Sequence, residues 1–280
     1  MKKILDVLLS ALHVVAGFGI LILGQLIGSI VAKPFPSSSA AFVAVSTVVY
    51  LITGILMIIL YGKFVARLSI KEMALVNIMP EAKWVILGLA LPLAVTAFYV
   101  FFTDGALERG SADLPMILAN GVLSAAVAGI VEEISFRGMM MRAFLKKWNL
   151  AAALILPSMV FAVIHVVTMP SVTPAGVLQL TVGGTMVGVM FSLIVLYSGS
   201  IWSSAIVHAL WNIIIIGGTF VIQAPGCGVT EIYLYKYALT STNVLLSGGA
   251  FGIESALPGI LCYTGISIVL FLLLQKRKAK

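Results

Sequence analysis

Eight long apolar blocks punctuate this chain, and blocks of that length leave the fold few choices. They run from Ile4 to Ala32, Ala40 to Leu60, Trp84 to Phe102, Leu114 to Ile134, Ala151 to Val167, Ala175 to Leu196, Ile201 to Ile222 and Leu257 to Leu274. A transmembrane helix needs about 20 consecutive apolar residues. In hydrocarbon only helices and closed barrels satisfy every backbone N–H and C=O. Of the 280 residues, 61% are hydrophobic and 10% charged, against roughly 25% charged in a soluble domain. The expected fold class is therefore all-α. It is a polytopic membrane protein of about eight transmembrane helices, forming one membrane domain over residues 1–280. Met1-Lys2-Lys3 followed by an apolar run looks like the start of a signal peptide. The run continues to Ala32 with no clear small-residue cleavage site, so it reads as an uncleaved first helix.

Lysine and arginine positions set the orientation. Threading eight spans puts Lys2, Lys3, Lys63, Arg67, Lys71, Lys83, Arg142, Lys146, Lys147, Lys276, Arg277, Lys278 and Lys280 on one side, and only Lys33, Arg109 and Lys236 on the other. Such a bias marks the first side as cytoplasmic, with both termini inside and a prokaryotic cell membrane as the expected location. Asp104, Glu108, Asp113, Glu231 and Glu254 then lie outside, as does the longest connection, from about Gln223 to Ala256. Its glycines and aromatics (Gly226, Gly228, Gly248, Gly249, Tyr233, Tyr235, Tyr237) point to a part that lies in the interface or re-enters. The net charge of +7 does not imply a nucleic-acid partner, because the basic residues sit at helix ends and not on one face. Cys227 and Cys262 have neither metal-site spacing nor a disulfide framework.

A charged side chain within a membrane helix costs at least ~2.5 kcal/mol on insertion scales, so it needs a partner or a task. The exceptions to an apolar interior are few: Glu132, Glu133 and Arg137; His165; His208 with Asn212; and His13 and Gln25 in the first span. Glu133 and Arg137 are four apart, share a helix face and can pair. Glu132 is turned about 100° from Glu133 and is free to face a cavity. His208 and Asn212 are also four apart and share a face. Each signal alone has a plain alternative: a surface ion pair at a helix end, a hydrogen-bonded packing histidine, a polar interhelical contact.

Depth makes the combination sharper. Glu132 lies 16 residues before Trp148 and His165 lies 17 after it, with the turn at Lys147-Trp148-Asn149. If the fourth helix runs straight through Gly138, a rise of ~1.5 Å per residue puts both about 25 Å from the turn. Antiparallel neighbours then bring them side by side. By the same rise, His208 and Asn212 lie ~10 to 17 Å along their own helix. A fourth helix extending into the cytoplasm would match the depths, so the four groups can converge on one cavity inside the helix bundle.

These residues resemble the CAAX prenyl endopeptidase and bacteriocin-processing family, also called CPBP or Abi. That family shows Glu-Glu-x-x-x-Arg, Phe-x-x-x-His and His-x-x-x-Asn segments in that order on separate membrane helices. Here they are Glu132, Glu133 and Arg137; Phe161 and His165; and His208 and Asn212. Gly199-Ser200-Ile201-Trp202 is similar to the family as well, and so is the preceding helix, where Gly183, Gly184 and Gly188 allow close helix approach. The motif-bearing core covers roughly residues 114–222. The resemblance implies endoproteolysis in or near the membrane, with a peptide or lipidated protein as substrate and membrane lipids as surroundings. The archetype removes the last three residues after a prenylated cysteine; bacterial members are linked to peptide maturation, bacteriocin immunity and signalling.

On this reading Glu132, aided by His165, activates a water. His208 and Asn212 stabilise the developing oxyanion, and Arg137 holds Glu133. No cofactor is required. The same Glu132, His165 and His208 offer a three-ligand zinc set with an open position for water, and this metal version stays open as the alternative. A catalytically idle scaffold or immunity protein and a proton-coupled transporter are the readings from other classes. No His-Glu-x-x-His metalloprotease pattern and no rhomboid-type serine motif is present.

Overall fold

The computed structural model describes residues 2–227 and 232–278; Gly228 and Glu231 of the long connection lie outside the described residues. Its apolar helices are α1 (Lys2–Val31), α2 (Ala40–Phe64), α3 (Ala82–Phe102), α4 (Leu114–Leu145), α5 (Leu150–Val167), α6 (Pro174–Ser198), α7 (Ile201–Ile215) and α8 (Leu257–Lys278). Seven of these are long and apolar enough to cross a membrane. The chain is a polytopic, mostly helical membrane protein. Helix α7, with 15 residues, is about 22 Å long at 1.5 Å per residue, short of a hydrocarbon core of about 30 Å.

The helix starts are written locally. Ser39 accepts from the Phe42 amide at 3.1 Å, Asn149 from Ala152 at 2.9 Å and Thr173 from Gly176 at 3.1 Å, each satisfying an amide that the first turn leaves free. Helix α6 ends on Gly199 in the left-handed region at φ 75°, where a side chain would be strained. Ser200 then opens α7. Its Oγ accepts from the Trp202 amide at 3.2 Å and donates to the carbonyls of Val76 and Asn77 at 2.8 and 3.1 Å. The Ala74 carbonyl takes the Ile201 amide at 2.9 Å. The connection from α2 to α3 thus anchors the start of α7, which explains why Gly199-Ser200-Ile201 stands there.

Two expectations change. The seventh apolar block does not continue as helix to Ile222. It stops at Ile215; Gly217 and Gly218 (φ 80°) follow, and Phe220–Gln223 becomes a strand. Hydropathy is blind to this change, because an apolar run reads alike as helix or strand. The fourth block does not end at Ile134: α4 runs on to Leu145. It is not broken at Gly138 but is wound as π-helix over Ile117–Ser124 and again over Ile134–Met140, on either side of Ala125–Glu133. Such segments are rare and gather at functional sites.

A small sheet, unforeseen from sequence, caps one end of the bundle. Strands β1 (Gly105–Arg109), β2 (Phe220–Gln223) and β3 (Tyr235–Leu239) lie in the order β1-β3-β2, antiparallel then parallel. Glu108 faces Lys236 in the register and pairs with it at 2.7 Å. At another place in the bundle Lys147 pairs with Asp6 at 2.7 Å, Lys146 with Glu72 at 2.9 Å, and Trp148 Nε1 donates to Ser10 Oγ at 2.8 Å. Lys146 also donates to the Arg67 carbonyl at 2.6 Å, which joins two residues that the charge bias assigns to one side. His13 Nδ1 meets the Tyr61 hydroxyl at 3.0 Å, a polar tie between α1 and α2. Cys227 and Cys262 are both free thiols.

The core around α4, α6 and α7 is closed by close backbone approach. A Cβ built on Gly184 would meet Ala162 Cα at 2.9 Å, and one on Gly129 would meet the Ala209 amide nitrogen at 2.9 Å. Without a hydrophobic force between helices in lipid, such small-residue contacts carry the packing. They bring α5 onto α6 and α7 onto α4, and so position the polar residues described next.

Candidate active site

All four residues expected to do chemistry line one cavity of about 310 Å³: Glu132 from α4, His165 from α5, and His208 and Asn212 from α7. Phe161 and Phe191 form part of its wall. Glu132 keeps 21% of its side chain exposed, whereas Glu133 is at 0% and Arg137 at 1%. Neighbours in sequence thus divide into a carboxylate that faces the cavity and one sealed in the core.

The sealed carboxylate holds the site together. Glu133 Oε1 accepts from Arg137 Nη1 at 2.7 Å and faces His208 Nδ1 at 3.1 Å. Three rings surround the guanidinium: its carbon lies 4.8 Å from the Phe161 centroid, 5.2 Å from Phe191 and 5.6 Å from Phe136. Aromatic faces attract cations most when both are desolvated, so an apolar span can carry Arg137. Phe191, which carries no motif signal in the sequence, also stacks on the His208 ring at 4.7 Å and 17°.

The hydrogen bonds fix which ring nitrogens are free. His165 Nδ1 lies 2.7 Å from the Phe161 carbonyl. A carbonyl only accepts, so Nδ1 carries the hydrogen and Nε2 keeps its lone pair in the neutral ring. His208 Nδ1 faces the Arg137-paired carboxylate, so it too carries a hydrogen, and its Nε2 stands 3.9 Å from Glu132 Oε2. That gap is too long for a direct hydrogen bond and suits a bridging water. Asn212 Nδ2 donates to the Ala125 carbonyl at 3.1 Å, which anchors the amide while its second N–H stays available. Among the described residues no three His, Cys, Asp or Glu side chains are grouped to hold a metal ion. Glu132, His165 and His208 line the cavity without forming a three-ligand set.

One lining residue escaped the sequence reading. Glu254, assigned to the outer aqueous loop, sits in the turn Ile253–Ser255 and faces the same cavity. Its Oε1 accepts from Trp211 Nε1 at 3.1 Å. Enclosure by protein pushes its carboxyl above the ordinary carboxylate range, against the pull of the Trp211 hydrogen bond and of His165 and His208; Glu132 adds to the rise. Part of the long loop does return into the bundle, and Phe251 stands edge-on to His165 at 5.7 Å. The glycines at 248, 249 and 252, all at positive φ, were the available signal for a tight return.

Residues 114–214 match the family model described as type II CAAX prenyl endopeptidase, Rce1-like. No curated protein and no solved structure matches the chain significantly. The matched segment contains α4 through the polar part of α7, with every residue of the three motifs. The resemblance read from the sequence and the family match thus fall on the same helices, and residues 114–214 of this chain are similar to the Rce1-like CAAX prenyl endopeptidase family.

Proposed function

We propose that this protein is an intramembrane endopeptidase that hydrolyses a peptide bond of a membrane-associated or lipidated substrate. The observation that carries the proposal is the convergence of Glu132, His165, His208 and Asn212 on one cavity walled by α4 to α7. Glu132 acts as general base, taking a proton from a water that attacks the scissile carbonyl, a role worth typically 10²–10⁴-fold. His165 Nε2, with its lone pair free, holds that water. Asn212 donates its second N–H to the oxyanion. His208 does so from Nε2 when the ring is an imidazolium, since Nδ1–H is already committed to Glu133. Oxyanion donors of this kind are worth ~2.7 to 4 kcal/mol each. Glu133 and Arg137 are positioning residues: they fix the His208 ring and touch no substrate.

The reading is metal-free, and no step is routed through an ion. The bias of Lys and Arg toward one side supports a cytoplasmic location for both termini. The function is tested in cells by comparing peptide termini between wild type and Glu132→Ala. Termini present only in the wild type are expected, on membrane or lipidated proteins. Identical termini in the two strains would overturn the assignment.

A further inference from the structure

The cavity holds a second acid that this mechanism does not use. Glu132 comes from α4, whereas Glu254 comes from the turn Ile253–Ser255, which packs against α6 and α8. Both carboxyls line the same 310 Å³ space, with His165, His208, Trp211, Asn212 and Tyr263. Their surroundings differ. Among the described residues Glu132 has no hydrogen-bond donor closer than His208 Nε2 at 3.9 Å, and it is half-buried. Glu254 is half-buried too, but it is anchored at one oxygen by Trp211. The Tyr263 hydroxyl at 3.3 Å goes to its backbone carbonyl and not to the carboxyl. The charged and titratable groups facing it are Glu132 from α4, His165 from α5 and His208 from α7, together with Tyr263 from α8. Two carboxyls in one site with environments that pull them apart are the arrangement in which one serves as base and the other as acid.

We propose that Glu254 is a further catalytic residue, the general acid that protonates the leaving amine. This rests on the protease reading above. Water attacks as Glu132 takes its proton: the C–O bond forms and the carbonyl π pair moves onto oxygen. When the tetrahedral intermediate collapses, the C=O bond re-forms and the C–N bond breaks. The amine nitrogen receives the Glu254 proton, which leaves Glu254 ionised and Glu132 protonated. Transfer of that proton from Glu132 to Glu254 through cavity water resets both, so the sum is one water consumed, one acid and one amine released. Trp211 is the positioning residue that aims Glu254.

The test uses leaving-group dependence in the full-length protein in detergent. The probes are a farnesylated peptide ending in a CAAX sequence and its depsipeptide twin, in which the scissile amide is an ester. Glu254→Gln keeps an oxygen for Trp211 Nε1 but has no proton to give. It should lower amide cleavage by roughly 10²–10⁴-fold, lower ester cleavage by less than about 10-fold because an alkoxide leaves more readily, and flatten the alkaline limb of the pH profile. Glu132→Gln should abolish both. Glu254→Asp, which keeps an acid, should recover part of the amide activity. Melting temperatures check that each variant is folded. Wild-type amide cleavage by Glu254→Gln, or equal losses on amide and ester, would overturn the role of Glu254 and leave the protease reading standing. Failure of the wild type on both probes would overturn both.

Discussion

Removing Arg137 should cost more than removing the whole ion pair it belongs to. Arg137→Ala leaves Glu133, which is 0% exposed, as a buried charge without its cation. Breaking a buried pair in this way costs ~3–5 kcal/mol. His208 Nδ1 remains 3.1 Å from Glu133 Oε1 and softens the loss, whereas the emptied space between Phe136, Phe161 and Phe191 adds to it. A loss of ~3 kcal/mol or more is therefore expected, above ~10²-fold in the folding equilibrium. The intact pair is itself incompletely satisfied: Glu133 Oε2 and Arg137 Nη2 have no hydrogen-bond partner among the described residues. Desolvation thus offsets much of the attraction, and Glu133→Leu with Arg137→Met should fall within ~1.5 kcal/mol of the wild type or exceed it. Unfolding by SDS titration from mixed micelles measures both. The double variant should lose cleavage, because His208 loses the Glu133 carboxylate that orients its ring. A loss below ~1 kcal/mol for Arg137→Ala, or a double variant no more stable than it, would refute the reasoning.

Three further outcomes are expected. Gly184→Ala places a Cβ 2.8 Å from Ala162 Cβ; overpacking of this kind costs ~1–3 kcal/mol, and pushing α5 from α6 should carry His165 out of place, so melting temperature and cleavage rate should fall together, and unchanged values would show that the contact is slack. Glu72, in the connection between α2 and α3, has its carboxyl held down to about 2 from 4.5, chiefly by the Ser69 amide and then by Lys146 and the Ser69 hydroxyl. A folded value below the unfolded one stabilises above pH 4.5 and is lost as pH falls toward 2; the melting temperatures of wild type and Glu72→Gln should converge over that window, and a constant gap would exclude the linkage. Thr240→Cys, in a background lacking Cys227 and Cys262, should be labelled from outside intact cells; labelling only after permeabilisation would reverse the orientation.

The spans were legible because an apolar run of bilayer length has few other uses. The motif residues were legible because charge inside such a run is costly. What escaped was structure whose local signal is ambiguous. Phe220–Gln223 continues the apolar run of Ile213–Ile216, so only Gly217 and Gly218 mark the change from helix to strand. The partner of β2 is β3, beyond a connection that hydropathy assigns to no element, and β1 lies more than a hundred residues upstream of both. The π winding of α4 leaves no compositional trace. Glu254 escaped for another reason: an acid in a polar loop looks solvated, and its place in the cavity follows from the return of the loop at Gly248, Gly249 and Gly252 together with the donor at Trp211. The Glu133–Arg137 pair, by contrast, was fixed by helical spacing alone; the third member, His208, needed the packing of α7 on α4.

The most direct test of the central claim is cleavage by the purified protein in detergent. The substrate is a farnesylated CAAX peptide, compared across wild type, Glu132→Ala and wild type with chelator. Among the described residues Glu132 has no ion-pair partner on its own helix and pairs only with His208, at 3.9 Å, so Glu132→Ala should keep the wild-type melting temperature. The account predicts release of the terminal tripeptide by wild type, unaffected by chelation, and none by Glu132→Ala. Cleavage at the wild-type rate by Glu132→Ala would contradict it.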